Sequence, residues 1–134
     1  MKIALIDDNK TILKINEVML RKEKHINEND KIEVFEEIKD LSNDTISYFI
    51  NEFDLIVCDH DLGVGKVNGL DFLKKVIEVE PNKYCVLLTG NDSLLMKAKT
   101  AISKNISYIV KNNDKNGGTI FKLGEIISKV RKEA

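Results

Sequence analysis

Five short apolar segments recur along the chain, and each ends in a cluster of polar residues. They cover residues 2–6, 31–35, 55–58, 84–88 and 107–110. Apolar runs of this length between turn signals are typical of strands. The first, third and fourth are the most continuously apolar, so we expect them at the centre of a sheet. The second alternates charged and apolar residues, which favours an edge position, and the short fifth segment is a candidate for the opposite edge.

Apolar residues at helical spacing follow each of these segments and predict five helices. The residues that mark them are, in chain order, Ile12, Ile15 and Met19; Ile46, Phe49, Ile50 and Phe53; Leu70, Leu73 and Ile77; Leu95, Ala98 and Ile102; and Ile120, Leu123, Ile127 and Val130. The candidate N-caps are Asn9 for the first helix, Asn43 or Asp44 for the second, and Asp92 or Ser93 for the fourth. Gly124 lies inside the last helix, where glycine costs about 1 kcal/mol in helix propensity.

The alternation of strands and helices predicts an α/β protein with a doubly wound parallel sheet and helices on both faces. Right-handed crossovers allow few arrangements of five strands. The order 2-1-3-4-5 puts the alternating second strand at an edge and the apolar first strand inside the sheet. We find no internal repeat, low-complexity tract or linker, so residues 1–134 are predicted to form a single domain.

The charge balance and the two cysteines narrow the class of protein. A net charge of -1 at pH 7 gives no reason to expect a nucleic-acid or membrane surface, and no apolar run approaches the roughly 18 residues of a membrane span. Cys58 and Cys85 both lie within apolar runs, which predicts buried, reduced thiols. We therefore expect a cytoplasmic protein that binds neither nucleic acid nor membrane directly.

Polar and charged side chains stand at the carboxyl ends of four of the predicted strands. They are Asp7 and Asp8, Asp59 and Asp61, Thr89, and Lys111. The carboxyl ends of parallel strands form one rim, which is where α/β folds bind ligands. The second strand ends in Glu36 and Glu37, and its edge position is expected to keep these two residues away from the other six.

This set of side chains has the chemistry of a phosphoryl site. Converging carboxylates repel one another and favour a bound cation, and an oxygen-only set that also meets phosphate suits Mg²⁺. Lys111 offers a compact positive charge and Thr89 offers a hydroxyl donor. A carboxylate can accept a phosphoryl group, and Asp59 is the best candidate because the buried strand before it fixes it in mid-rim. The pattern predicts Mg²⁺-assisted phosphoryl transfer to Asp59.

The arrangement resembles the receiver domain of response regulators in two-component signalling, which has the flavodoxin-like fold of the chemotaxis regulators. The resemblance extends over essentially the whole chain. The matching residues are Asp7 and Asp8 after the first strand, Asp59 after the third, Thr89 and Gly90 after the fourth, and Tyr108, Ile109, Val110 and Lys111 at the fifth. Each match alone is weak, and their shared order, each at a strand end, makes the resemblance specific.

The resemblance implies how the acids act. Asp59 would accept a phosphoryl group from the phosphohistidine of a histidine kinase or a histidine phosphotransfer protein. Mg²⁺ would be held by Asp8, Asp59 and the main-chain carbonyl of Asp61, with Asp7 acting through water. The family is not enzymatic in the ordinary sense, although Mg²⁺-dependent self-phosphorylation from small donors and autodephosphorylation are implied.

The resemblance also implies roles for the remaining residues and for partners. Thr89 and Lys111 would bind the phosphoryl oxygens, and Thr89 and Tyr108 would be the switch residues that report phosphorylation. A downstream protein target would contact the face formed by the fourth helix, the fifth strand and the last helix.

Three departures from the family pattern lie close to the predicted site. Gly63 stands four residues after the acceptor, where proline is usual, and Asn112 replaces the proline that usually follows the lysine. That proline often has a cis bond, which costs roughly 2.5–4 kcal/mol without proline. Gly69, which opens the third helix, comes two residues later than usual after Asp59, so the segment from Gly63 to Asn68 contains a two-residue insertion.

Other interpretations of the same residues stay open. The run from Asp59 to Gly63 also resembles the nucleophile motif of haloacid-dehalogenase-type phosphatases, in which Asp59 and Asp61 would act together. Those enzymes usually carry the motif on their first strand, whereas here it follows the third. A receiver-like interaction module that is never phosphorylated is the third hypothesis. His60, between two acids, is expected to be an outward-pointing loop residue, because neighbours in an extended segment face opposite ways.

Overall fold

The computed structural model describes residues 1–90, 106–111 and 118–133. In chain order its elements are β1 (Lys2–Ile6), α1 (Lys10–Lys22), β2 (Lys31–Phe35), α2 (Asn43–Glu52), β3 (Leu55–Asp59), α3 (Gly69–Val79), β4 (Tyr84–Thr89), β5 (Ile106–Val110) and a C-terminal helix (Gly118–Glu133). The predicted fourth helix and its N-caps, Asp92 or Ser93, lie outside the described residues. So does Asn112, the residue that follows Lys111.

The five strands form one parallel sheet in the order β2-β1-β3-β4-β5, which confirms the predicted fold class and strand order. All five residues of β3 are buried, whereas those of β2 are exposed or half-buried. This difference follows from position, because a central strand is covered on both faces and an edge strand is not. Asp59 is level with Leu88 of β4, and Thr89 is level with Val110 of β5, so the polar residues come at adjacent strand ends.

The core lies on both faces of the sheet, as predicted. On one face α2 and α3 pack against the sheet through aromatic residues, with the rings of Phe49 and Phe72 5.0 Å apart. On the other face α1 and the C-terminal helix pack through aliphatic residues such as Leu20 and Ile127. Within the described residues, no helix is long and apolar enough to cross a membrane. Both cysteines are buried and free, as the sequence predicts.

The buried face of α1 differs from the one that the helical spacing favours. Leu13 and Leu20 are buried, whereas Ile12 and Ile15 are exposed and Met19 is half-buried. The helix itself is correctly predicted, but two overlapping sets of apolar residues both have helical spacing. Only the packing of α1 against the sheet selects between them.

Side chains cap the helices at their N-termini, with one difference from prediction. Asn9 Oδ1 accepts hydrogen bonds from the backbone N–H groups of Thr11 and Ile12, at 3.0 and 3.2 Å, which confirms this cap. The cap of α2 is Ser42 rather than Asn43 or Asp44. Both of those residues lie inside the first turn, where Asp44 is placed favourably for the helix dipole.

Candidate functional site

The carboxyl ends of β1, β3, β4 and β5 border one cleft of about 420 Å³. It is lined by Asp7, Asp8, Asn9, Ile12, Asp59, Asp61, Thr89, Gly90 and Lys111. All six polar residues predicted from the strand ends are therefore brought together. Asn9 and Ile12 also line the cleft, although the sequence singled them out only for their place in α1. Asn9 directly follows Asp8, and Ile12 lies in the first turn of α1 just beyond it, so closeness to Asp8 along the chain is the sequence signal for both.

Asp59 is buried in this cleft and paired with Lys111. The Lys111 Nζ atom lies 3.0 Å from Asp59 Oδ1, and only 6% of the Asp59 side chain is exposed. Burial raises the pKa of Asp59, and the hydrogen bond from the Lys111 ammonium opposes that rise. The pair thus keeps an acid in a desolvated position beside a fixed positive charge, which suits a carboxylate that reacts with a phosphoryl group.

One carboxylate oxygen of Asp7 accepts a hydrogen bond, and the other has no partner among the described residues. Its Oδ1 accepts a hydrogen bond from the backbone N–H of Asn9 at 2.9 Å. Its Oδ2 is buried and has no hydrogen-bond partner among the described residues. Burial raises the pKa of Asp7 to about 6, and the nearby Asp59 charge contributes in the same direction. A buried carboxylate oxygen without a donor is costly unless a cation or a proton compensates it.

The acids of the cleft fit a hard divalent cation. Asp7, Asp8 and Asp59 each offer one oxygen, and these oxygens all lie within 4.8 Å of one another. Oxygen-only ligands with room for water are the ligands that Mg²⁺ prefers. The unpartnered Asp7 Oδ2 points to the same requirement independently. The residues therefore fit the Mg²⁺ site that the sequence predicts.

Asp61 lines the cleft, but its carboxylate is hydrogen-bonded to the loop that follows β3. Its Oδ1 accepts a hydrogen bond from the backbone N–H of Gly63 at 3.1 Å, and the residue is exposed. Its side chain is not part of the three-acid group. The placement is compatible with the predicted role, which uses the main-chain carbonyl of Asp61.

His60 is not the outward-pointing residue that the sequence favours. Its Nδ1 accepts a hydrogen bond from the backbone N–H of Leu70 at 3.3 Å, and its carbonyl accepts one from the N–H of Gly69 at 2.9 Å. The imidazole is half-buried against the first turn of α3 and does not line the cleft. Free N–H groups at a helix start attract an acceptor, so the imidazole, which faces away from the cleft, packs on α3 rather than pointing to solvent.

Gly69 brings the start of α3 against the end of β3. A Cβ atom at Gly69 would overlap the carbonyl oxygen of Asp59. The contact is with backbone, which cannot move aside without moving Asp59. Glycine is required here for close approach, and the contact helps to fix the position of Asp59.

The other side of the cleft is built by β4 and β5. Thr89 is buried at the end of β4, and its carbonyl accepts a hydrogen bond from the Lys111 N–H at 2.7 Å. This bond fixes the backbone of Lys111 beside Thr89. Among the residues that the structure describes, none lies within 4 Å of a Cβ atom built at Gly90.

Tyr108 lies outside the cleft. It is level with Leu87 of β4 and packs, half-buried, against the core on the α3 side of the sheet. The structure therefore separates Tyr108 from the other predicted site residues. It occupies the strand that leads to Lys111, two of whose residues, Ile106 and Ile109, are buried.

Comparisons with known proteins identify the fold and the family of the chain. The family model described as "Response regulator receiver domain" matches residues 3–118. No curated protein matches the chain. Among solved structures, the chain is similar to a CheY-like receiver domain protein from Methanospirillum hungatei JF-1, with 22% identity, 99% of this chain and 98% of that chain covered, and a TM-score of 0.71.

Two further solved structures have the same fold. The receiver domain of a response regulator from Rhodospirillum rubrum is 21% identical, with coverage of 96% of this chain and 94% of that one and a TM-score of 0.70. The response regulator TrrA from Thermotoga maritima, solved in complex with Mg(2+)-BeF, is 17% identical, with coverage of 96% and 97% and a TM-score of 0.62. With the match over residues 3–118, the chain belongs to the response regulator receiver domain family.

Proposed function

We propose that this chain is a phosphorylation-dependent switch of a two-component, or His-Asp phosphorelay, system in which Asp59 accepts the phosphoryl group. The donor is a histidine kinase or a histidine phosphotransfer protein. The observation that carries the proposal is the environment of Asp59, which is buried 3.0 Å from Lys111 Nζ and close to the carboxylates of Asp7 and Asp8. This environment is chemically suited to a phosphoryl acceptor and would be costly to maintain for packing alone.

Transfer forms a bond between an Asp59 carboxylate oxygen and phosphorus while the phosphorus–nitrogen bond to the donor histidine breaks. The released imidazole nitrogen takes a proton from solvent. Lys111 and Thr89 orient the phosphoryl oxygens, and Lys111 neutralises part of their charge. Autodephosphorylation reverses the modification when water attacks phosphorus and inorganic phosphate leaves.

Mg²⁺ is the proposed cofactor, with Asp8, Asp59 and the main-chain carbonyl of Asp61 as ligands and Asp7 acting through water. When bound, it would supply positive charge to the phosphoryl oxygens. The Thermotoga maritima protein, described in complex with Mg(2+)-BeF, supports this choice of metal by analogy of fold.

Thr89 and Tyr108 are the proposed switch residues. Thr89 lines the cleft, whereas Tyr108 lies on β5 and packs against the core on the α3 side of the sheet. A downstream protein target is proposed to contact the face that includes β5, the C-terminal helix and the predicted fourth helix. Phe121, 59% exposed on the C-terminal helix, offers an apolar contact on the described part of the chain.

Incubation with acetyl phosphate and Mg²⁺ tests the proposal. We expect one base-labile adduct per chain, located at Asp59 by mass spectrometry and absent from Asp59→Asn. Asp44→Asn, an exposed acid on α2, is a matched control that should be labelled normally. Labelling that persists in Asp59→Asn would remove the assignment.

Two other outcomes would favour the alternative functions. Turnover of many equivalents of a phosphate ester would favour a haloacid-dehalogenase-like phosphatase that uses Asp59 and Asp61. Absence of labelling, with no binding of beryllofluoride in the presence of Mg²⁺, would favour a receiver-like interaction module that is not phosphorylated.

A further inference from the structure

The loop between β2 and α2 follows the edge strand that pairs with β1 and does not line the cleft. Its glutamates, Glu36 and Glu37, are absent from the cleft wall, as expected for an edge strand. Each is instead paired with a lysine from a neighbouring segment. Glu37 Oε2 lies 2.7 Å from Lys66 Nζ, and Glu36 Oε1 lies 3.3 Å from Lys10 Nζ. The Lys66 pair is the shorter, and each of its side chains is 52% exposed.

Lys66 belongs to the loop between β3 and α3 that contains the two-residue insertion. Gly63 and Gly65 in this loop have φ angles of 112° and 76°, which other residues rarely adopt. Two glycines give the free loop high conformational entropy. Leu62 on one side of the turn is buried, and Val67 on the other packs against the core. The turn from Gly63 to Lys66 lies between these anchors and is held by polar contacts.

These contacts lead back to the cleft. The N–H of Lys66 donates to the carbonyl of Gly63 at 3.2 Å and closes the turn. The N–H of Gly63 in turn donates to Asp61 Oδ1 at 3.1 Å. Lys66 is thus connected through one turn to Asp61, the residue whose carbonyl is proposed to bind Mg²⁺. On the other side, the carbonyl of Phe35, at the end of β2, accepts a hydrogen bond from the N–H of Asp7 at 3.0 Å.

We infer that Lys66 is a positioning residue for the metal side of the cleft. Its salt bridge with Glu37 holds the glycine-containing turn, and through that turn the backbone of Asp61, in the geometry that binds Mg²⁺. The inference rests on the proposed function, because it assigns the pair a role in that same site. The Lys66 ammonium lowers the pKa of Glu37, and Glu37 raises the pKa of Lys66, as expected when the two ions contact each other.

If the two side chains acted only through their charges, removing Lys66 would change the affinity for Mg²⁺ in the opposite direction. Removing a positive charge near an acidic cleft strengthens cation binding, and removing a negative charge weakens it. If Lys66 acts by position, removing either partner releases the turn and weakens Mg²⁺ binding. The sign of the Lys66 effect therefore separates the two explanations.

Calorimetric titration with MgCl₂ at low ionic strength provides the test. We expect Lys66→Gln and Glu37→Gln each to weaken Mg²⁺ binding by about threefold, the range of a partly exposed salt bridge. The double variant should be no weaker than either single one, and the exchanged pair Lys66→Glu with Glu37→Lys should recover most of the affinity. High salt should reduce these differences, since the pair is open to solvent.

The pair of Lys75 and Glu78 on α3 is the matched control. Its ions lie 3.4 Å apart with side chains 50% and 66% exposed, and neither residue lines the cleft. Lys75→Gln and Glu78→Gln should leave Mg²⁺ affinity within about 1.5-fold of the wild type. If Lys66→Gln binds Mg²⁺ as tightly as the wild type, or more tightly, the inference is wrong.

Hydrogen exchange of the metal-free protein gives a second measurement. The amides of Gly63 and Lys66 should exchange about threefold faster in Lys66→Gln, with no change in the Lys75→Gln control. Unchanged exchange would overturn the inference even if Mg²⁺ affinity fell. If the wild type binds Mg²⁺ and is labelled at Asp59 while Lys66→Gln behaves identically, the role of Lys66 fails and the proposed function stands. Failure of the wild type to bind Mg²⁺ would overturn both.

Discussion

At the scale of single residues, the burial of Asp7 in the cleft costs folding stability. Ordinary capping acids are exposed, but Asp7 is buried. One of its oxygens accepts a hydrogen bond from a backbone N–H, and the other has no partner in the described part of the chain. Because its pKa is raised to about 6, the ionised form is unfavourable in the folded protein without a cation. A buried acid that lowers stability in this way is a pattern common at functional sites, and it supports the proposed role of Asp7 in holding Mg²⁺.

Asp7→Asn should stabilise the metal-free protein. The amide keeps an oxygen for the Asn9 N–H and removes the buried charge. A pKa raised from 3.8 to about 6 means that the wild type loses stability as pH rises between these values. The variant should therefore gain about 1–3 kcal/mol in unfolding free energy above pH 6, with little gain below pH 4.

Urea unfolding in the presence of a chelator measures this difference. Asp8→Asn is the control, since Asp8 is exposed and its substitution should change the unfolding free energy little. Destabilisation by Asp7→Asn at neutral pH would contradict the account of Asp7.

At the scale of elements, Gly124 is explained by a neighbour distant in sequence. The sequence marks this glycine as a weak point of the last helix, yet the C-terminal helix continues through it. A Cβ atom at Gly124 would overlap the ring of His25, from the loop between α1 and β2. The glycine provides the space in which that loop packs against the helix.

Gly124→Ala should therefore have opposite effects in two backgrounds. In the wild type, the methyl group collides with His25, and we expect a loss of about 1–2 kcal/mol in unfolding free energy despite the better helix propensity. In His25→Ala the space is free, and Gly124→Ala should add up to about 1 kcal/mol. A double-mutant cycle by urea unfolding checks this, and equal effects in both backgrounds would be inconsistent with the contact.

At the scale of the whole molecule, a buried ion cluster joins the two ends of the chain at the end of the sheet opposite the cleft. Asp30, 2% exposed, accepts two hydrogen bonds from Arg131, at 3.1 and 2.6 Å, and its Oδ1 lies 3.2 Å from the N-terminal ammonium. The hydrogen bonds from Arg131 hold the pKa of Asp30 well below its usual range. The C-terminal helix is thus tied to the start of β1 and β2.

Asp30→Asn should destabilise the protein by about 2–3 kcal/mol, because it leaves two cationic groups without their carboxylate. The folded-state pKa is depressed below 3.8. The stabilisation is therefore complete above the unfolded pKa and is lost as pH falls through the folded one, so the difference should narrow in acid. Thermal unfolding at neutral and acid pH measures this, with exposed Glu28→Gln in the same loop as control. A constant difference at all pH values would contradict the ionic origin.

The sequence by itself determined the sheet, the strand order and the six polar residues at its rim. Hydrophobic periodicity is local, and parallel strands place their carboxyl ends on one side, so the convergence of Asp59, Thr89 and Lys111 follows without side-chain detail. The resemblance to receiver domains also indicated Gly69 as the start of α3, which the structure confirms, and a two-residue insertion before it.

Only the tertiary structure decided which partners these residues meet. Three features depend on contacts between segments that are separated along the chain: the buried face of α1, the contact of His60 with the first turn of α3, and the salt bridge between Lys66 and Glu37. Hydrophobic periodicity is local and does not predict such contacts. The same holds for the unpartnered oxygen of Asp7, because burial and hydrogen-bond satisfaction depend on every neighbouring element at once. Sequence pattern therefore specifies where the proposed phosphoryl site lies, and packing specifies how its residues are held.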